Sequence, residues 1–175
     1  MSSLSGEFNS LPTSSLVDFY RRYVPGYENA ELITTGSLMG VRETRRVVGD
    51  YVLTPLDIVN KRTFQDTVGI SNGGRLDTHG FTVHPFYLIN NWLGGITHTP
   101  YRCLLPKGID GILVIGVGLS AHCDAIPSVR MQPGVQNLGY AAGVAAAMAA
   151  KAGVPTRDID LRSLQAHLVS NGCLT

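Results

Sequence analysis

Residues 111–150, GILVIGVGLSAHCDAIPSVRMQPGVQNLGYAAGVAAAMAA, constrain the fold more than any other part of this chain. An apolar run, GILVIG, leads into a glycine loop and then into a helix built from Gly and Ala. A continuous apolar run of this kind belongs to a strand buried on both faces of a sheet. In the helix, expected to begin near Gln136, Leu138, Ala141, Ala142, Ala145 and Ala149 are available for close packing. Gly139 and Gly143, four apart, let another backbone approach. Strand, glycine loop and small-residue helix outline a nucleotide-binding unit. This one stands late in a sequence of only 175 residues.

GVGLSA satisfies G-x-G-x-x-[GA] through Gly116, Gly118 and Ala121. A dinucleotide fingerprint also starts its helix inside the motif, so that backbone N–H groups meet the pyrophosphate. Here HCDAIP reaches Pro127 within a few residues, and proline is excluded from a helix interior. The acidic residue expected about twenty residues on falls in QNLGYAAG, which reads as helix. The stretch is not a complete dinucleotide-binding half. A helix whose first turns are VQNLGYAAG would still present unpaired N–H groups and a partial positive charge. Such an end suits an electron-rich carbonyl or a developing anion, as at the pyrimidine edge of a flavin. The competing reading is a helix packed tightly on a sheet, with its glycines there for steric reasons.

Elsewhere the signals are local. Residues 1–13 read as a Ser-rich flexible terminus. From Ser15, Leu16, Phe19, Tyr20 and Tyr23 share a helical face, and Pro25 and Gly26 stop that helix. RRVVGDYVLT reads as a strand interrupted at Gly49. Thr54 as N-cap, Pro55 and Asp57 start a short helix through about Lys61. Residues 68–100 read as antiparallel strands and loops, and a last helix runs from Asp160 to Gly172. Charged residues are 15% of the chain against 44% hydrophobic ones; both a buried interface and a tightly folded, small-residue-rich monomer fit that balance. The net charge of +1 excludes electrostatic attraction to nucleic acid or an anionic membrane. Cys103, Cys123 and Cys173 form no CxxC pair, and with no signal peptide or membrane span visible, a soluble, cytoplasmic protein is expected.

Several stretches in order, VPGYENAEL, GVRETRRVVGDYVLT, DTHG, PYRCLLPKGIDGILVIG and LGYAAGVAAAMA, resemble the FAD-dependent oxidoreductases of the glutathione-reductase-like flavoprotein superfamily. The resemblance covers the chain from about Tyr20 onward and matches the C-terminal portion of such enzymes. It implies an α/β chain (an α+β mixture): an antiparallel substrate-side sheet, then the last strand and closing helix of an FAD-binding domain. Residues 14–107 would be the substrate-domain-like part and 108–175 the FAD-domain part. Gly116, Gly118 and Ser120 would lie along the ribityl and pyrophosphate side of FAD. Arg130 matches a family arginine, and the backbone of Val135, Asn137, Leu138 and Gly139 would face the flavin ring. The family's G-x-G-x-x-G unit for the ADP half would come from a larger partner polypeptide, making a hetero-oligomer. The alternative is a non-catalytic remnant acting as a self-associating or partner-binding module. A third reading is a small-ligand binder holding another nucleotide in the glycine loop.

The chain departs from the family where Arg is usual at Val117, Thr-His-Glu at His122, Cys123 and Asp124, Cys at Val135, and Gln at Tyr140. Asp77 and His79 share a strand face, so His79 is the candidate base for hydride removal from a small organic substrate, with a structural histidine as the competing reading. Arg102 is a candidate charge near flavin or substrate, or else an ion-pair partner. Arg42, Glu43, Arg45 and Arg46 are either substrate anchors or a salt-bridge network. His122 is a candidate helper at the cofactor loop, Cys123 reads as a buried inert thiol, and His84 and His98 read as surface or loop residues. His122 and Asp124 lack further ligands at useful spacing, so no metal is expected.

Overall fold

The computed structural model describes residues 13–34, 43, 45–74 and 95–174, divided between two compact units, Met1–Thr44 and Arg45–Thr175. The chain is a mixed α/β protein with five α-helices and a two-stranded antiparallel sheet among the described residues. No helix among them is long and apolar enough to cross a membrane. Arg42, Asp77, His79, His84 and the expected strands and loops of 75–94 lie outside the described residues.

In the first unit, α1 spans Thr13–Tyr23 and ends where Pro25 and Gly26 turn the chain, with Gly26 at φ 88°. Phe19 meets Tyr20 edge-on and Tyr23 at a tilt, and Tyr20 meets Tyr27 at a tilt, with centroid distances of 5.2–6.1 Å. The Arg21 Nε–H holds the turn by donating to the Ala30 carbonyl at 2.7 Å.

In the second unit, residues 45–54 bend at Asp50 and Tyr51 and do not form a regular strand. They make isolated bridges, Gly49 to Pro106 and Leu53 to Ala121. The reason lies in the hydrogen bonds, which alternate between two neighbours. Asp50 N–H donates to the Leu105 carbonyl, whereas Val47 and Leu53 N–H donate to Gly118 and Ser120. No single ladder can therefore propagate. α2 (Pro55–Val59) follows with a complete capping box. Thr54 Oγ1 accepts from the Asp57 N–H, and Asp57 Oδ2 accepts from the Thr54 N–H at 2.9 Å.

Strands β1 (Thr67–Gly74) and β2 (Gly95–Pro100) pair antiparallel, with Gly69 opposite Thr99 and Ile70 opposite His98. His98 thus belongs to a strand and is half-buried. The run Gly111–Ile115 was expected to be a strand buried on both faces. Here it starts in a bend at Gly111, φ 76°, and has no strand partner among the described residues, and Ile112 is 51% exposed. Its Val114 N–H reaches the Leu104 carbonyl at 2.9 Å. A strand covered on both faces needs layers on either side, and the described residues do not supply them.

After a 3-10 turn at Gly116–Gly118 and the one-turn helix α3 (Ile126–Val129), α4 spans Gln132–Ala152. It begins a turn earlier than expected, because Pro133 occupies the first helical turn, where a missing N–H costs nothing. Gly134, Leu138, Ala141, Ala145 and Ala149 form its buried face. Leu138 packs where Gly69 lacks a side chain; a Cβ on Gly69 would lie 2.5 Å from Leu138 Cδ2. Gly134 packs on Ser71 in the same way, at 2.5 Å from its Oγ. Gly143, by contrast, is exposed and has nothing within 4 Å of a would-be Cβ among the described residues.

Helix α5 (Leu161–Ser170) is capped by Asp160, whose Oδ1 accepts from the Arg162 and Ser163 N–H groups. It closes in a Schellman motif: Gly172, at φ 71°, donates to Val169, and Cys173 donates to Leu168. Leu53, Val68, Leu104, Leu119, Ile126 and Leu168 are central to the core that joins these elements.

Candidate functional site

Two chain reversals meet beside this core. One is the Gly116–Gly118 turn at the end of the apolar run, where Gly116 has φ 68°, a conformation that favours glycine. The other is the passage from α3 through Arg130 into the first turns of α4. Gly116, Val117, Arg130, Gln132, Val135 and Gln136 line one open cavity of about 400 Å³ between them. Gln132 and Gln136 are one helical turn apart, so both amides reach the same side.

Of the residues expected at a cofactor, Gly116, Arg130 and Val135 are on this cavity, whereas Gly118, Ser120, Asn137, Leu138 and Gly139 are not among its lining. The Gly118 carbonyl accepts from the Val47 N–H, and Gly118 packs on Val114, 3.2 Å from a would-be Cβ. Ser120 is buried, and its hydroxyl is used twice. It accepts from the Gly49 N–H and donates to the Tyr51 carbonyl, each at 2.8 Å. Leu138 is a core side chain, and Gly139 lies against Ile115. Asn137 Nδ2 donates to the Cys173 carbonyl at 2.8 Å, while its Oδ1 is buried without a hydrogen-bond partner.

The earlier start of α4 also changes which backbone donors are available. The Val135 N–H donates to the Met131 carbonyl at 2.9 Å, and the N–H groups from Gln136 to Gly139 lie within the helix. Pro133 has no N–H. The donors outside the helical ladder are those of Gln132 and Gly134. They precede the stretch that sequence reasoning marked for the flavin ring.

Arg102 belongs to a different cleft. Its guanidinium grips Asp66 with two bonds, Nε to Oδ2 at 2.8 Å and Nη2 to Oδ1 at 3.1 Å, and lies 5.1 Å from the Tyr51 ring centroid. The cleft, about 1070 Å³ and open, also takes in Arg62, Phe64, Tyr101 and Arg157. Three of its arginines have acidic partners: Arg102 pairs with Asp66, Arg62 with Asp57, and Arg157 with Asp50 and Asp110. Arg162 lines it as well. Burial pushes the Tyr101 phenol up to about 12, and its hydroxyl donates to the Thr156 carbonyl.

Burial alone would raise the Asp66 carboxyl, but the hydrogen bonds from Arg102 outweigh it and hold the group below the ordinary aspartate value. At Asp57 burial is again outweighed, by bonds from Thr54, Tyr51 and Arg62. A pKa lower in the folded chain than in the unfolded one means that the unfolded chain binds more protons as pH falls. The resulting stability is full above the unfolded value of about 3.9 and is lost as pH drops through the folded values. Thermal midpoints should therefore fall at acid pH, and Asp66→Asn should flatten that fall. An equally steep fall in the variant would contradict the assignment.

His79, the expected base, and its neighbour Asp77 lie outside the described residues, as does Arg42; Glu43, Arg45 and Arg46 each have interaction partners. Sequence reasoning missed Val117 and Gln132 as lining residues, and included Gln136 only through the backbone of Val135 to Gly139. The two glutamines carried a signal in their four-residue spacing, but it could be read only once Gln132 was known to be helical. Asp66, far from Arg102 in sequence, carried none.

A family model described as FAD dependent oxidoreductase matches residues 7–168, most of the chain. No curated protein and no solved structure matches it.

Proposed function

Because the chain belongs to the FAD dependent oxidoreductase family, we propose that it forms part of a flavoenzyme and completes the cofactor and substrate site with a larger partner polypeptide. That partner carries the G-x-G-x-x-G half that holds the ADP end of FAD. The relationship is to the C-terminal portion of glutathione-reductase-like flavoproteins. Residues 14–107 serve the substrate side and 108–175 the cofactor side.

The observation that carries this reading is the cavity between the Gly116–Gly118 turn and the start of α4. Its residues fit one end of the cofactor. Arg130 brings a positive charge, and the amides of Gln132 and Gln136 supply donors and acceptors. The backbone N–H of Gln132, in the first turn of α4, adds the partial positive charge of a helix N-terminus. This donor set suits carbonyl oxygens and a ring that gains negative charge. Bound FAD supplies the acceptor for a hydride from a small organic substrate. The volume of about 400 Å³ is near the lower end of small-molecule sites, about 300–1,000 Å³. It accommodates one end of an extended dinucleotide and leaves the other to the partner.

The run Gly111–Ile115 points the same way. It is apolar and without a strand partner among the described residues, with Ile112 and Val117 exposed nearby. A partner sheet would satisfy such an edge by strand addition. Three cysteines outside any disulfide suit a reducing, cytoplasmic location. Native mass spectrometry of the protein from its own source tests the assembly. A complex holding a second, larger chain and the mass of FAD is expected. A bare chain or homo-oligomer without FAD would contradict it. That result would favour the second reading, a self-associating module without catalysis, which the exposed small residues Gly143, Ala146, Ala147 and Ala150 of α4 support.

A further inference from the structure

His122, Cys123 and Asp124 follow one another directly, a spacing at which three side chains do not ordinarily converge. A turn brings them together. The Ala125 and Ile126 N–H groups both donate to the His122 carbonyl, at 2.9 and 3.1 Å. The His122 ring folds over this turn, and its Nδ1 accepts from the Asp124 N–H at 3.3 Å. The ring nitrogen, the thiol and the carboxylate then form one cluster, their ligand atoms all within 4.8 Å of one another.

The separations are those of a metal's coordination shell. Cys123 Sγ is 3.5 Å from His122 Nδ1 and 3.7 Å from Asp124 Oδ1, and Nδ1 is 3.5 Å from Asp124 Oδ2. Tetrahedral zinc, with bonds of about 2.3 Å to sulfur and about 2.0–2.1 Å to nitrogen and oxygen, holds its ligand atoms about 3.3–3.6 Å apart. The two carboxylate contacts are made by different oxygens of Asp124, so the carboxylate must turn to bring one oxygen toward both Sγ and Nδ1. With one ligand atom per residue, the separations are all within 4.8 Å. The cluster is open to solvent, with the His122 side chain 52% and the Asp124 side chain 33% exposed. An ion can therefore enter, and a fourth position remains free for water.

We infer that His122, Cys123 and Asp124 form a three-ligand site for a borderline divalent cation of the zinc class, with one coordination position left to solvent. The imidazole and thiolate favour zinc-like ions over magnesium or calcium, which prefer all-oxygen shells. Binding breaks the S–H bond of Cys123, forms the metal–sulfur bond and releases the proton to water. Affinity should consequently weaken as pH falls. The Asp124 N–H gives up its contact with Nδ1 when the metal takes that lone pair. The inference is independent of the flavin reading, since it needs neither FAD nor a partner.

Cobalt(II) titration of the reduced full chain tests it. The expected result is a thiolate-to-cobalt charge-transfer band that saturates at one ion per chain. Cys123→Ser should abolish the band, and Cys173→Ser should leave it intact. Cys103 is buried, with burial raising its thiol to about 12, and cannot supply the thiolate. His122→Gln should weaken binding by about 100-fold or more, since loss of even an outer partner of a metal ligand costs about 10- to 100-fold. A second readout guards against a variant that fails to fold: zinc should protect Cys123 of the unaltered chain from alkylation. Absence of the band, its persistence in Cys123→Ser, its loss in Cys173→Ser, or full alkylation of Cys123 under zinc would each overturn the site.

Discussion

Leu138→Ala should destabilise the Arg45–Thr175 unit by about 2–5 kcal/mol, the range for truncating a buried leucine. Leu138 is 1% exposed and fills the space that Gly69 leaves on β1. Its loss leaves a cavity between helix and strand, because Gly69 has no side chain to fill it. The effect reaches the candidate site because Gln132, Val135 and Gln136 belong to the same end of α4. Urea unfolding should show a lower midpoint with an unchanged slope. A loss below about 1 kcal/mol would mean that α4 is anchored elsewhere, since buried leucines rarely cost so little.

Gly49→Ala should be the most damaging of the glycine substitutions. A Cβ there would lie 2.8 Å from Ser120 Cβ and 3.0 Å from the carbonyl oxygens of Arg102 and Leu105. Two of those neighbours are backbone atoms that cannot rotate away. The crowding also disturbs the bond from the Gly49 N–H to Ser120 Oγ. Overpacking of this kind costs about 1–3 kcal/mol, and the backbone contacts place Gly49 at the upper end. Gly143→Ala is the control with the opposite sign. Its site is open and helical, so the change should stabilise by about 0.5–1 kcal/mol. Thermal melts of the two variants side by side would decide the matter; equal and small shifts would contradict the packing described for Gly49.

Local chemistry was legible in the sequence wherever one or two residues determine the outcome. Thr54, Pro55 and Asp57 announce α2, and Asp160 and Gly172 mark the ends of α5. What failed depended on neighbours that a sequence does not display. GILVIG has the pattern of a strand covered on both faces, but pattern cannot say whether covering layers are present. RRVVGDYVLT has strand composition, yet its hydrogen bonds are divided between two segments. Ser120 was expected along the ribityl and pyrophosphate side of FAD, and its buried hydroxyl ties the Gly49 N–H to the Tyr51 carbonyl. The start of α4 was placed near Gln136, a turn late, because proline is also at home in a first helical turn and Pro133 stands there. Cys123 was read as a buried thiol, whereas it is only partly buried, and the turn at His122 brings its sulfur close to the His122 ring and the Asp124 carboxylate.

The central claim is that the cavity between the Gly116–Gly118 turn and α4 receives one end of FAD. The most direct measurement is the ratio of flavin to protein absorbance in the native assembly, for the unaltered chain and for Val117→Trp. Val117 lines the cavity and is 39% exposed, so an indole there fills the space without disturbing the core. The account predicts that the variant folds, keeps its partner and loses most of its flavin. A variant that folds and assembles with its flavin content unchanged would show that the cofactor does not use this cavity.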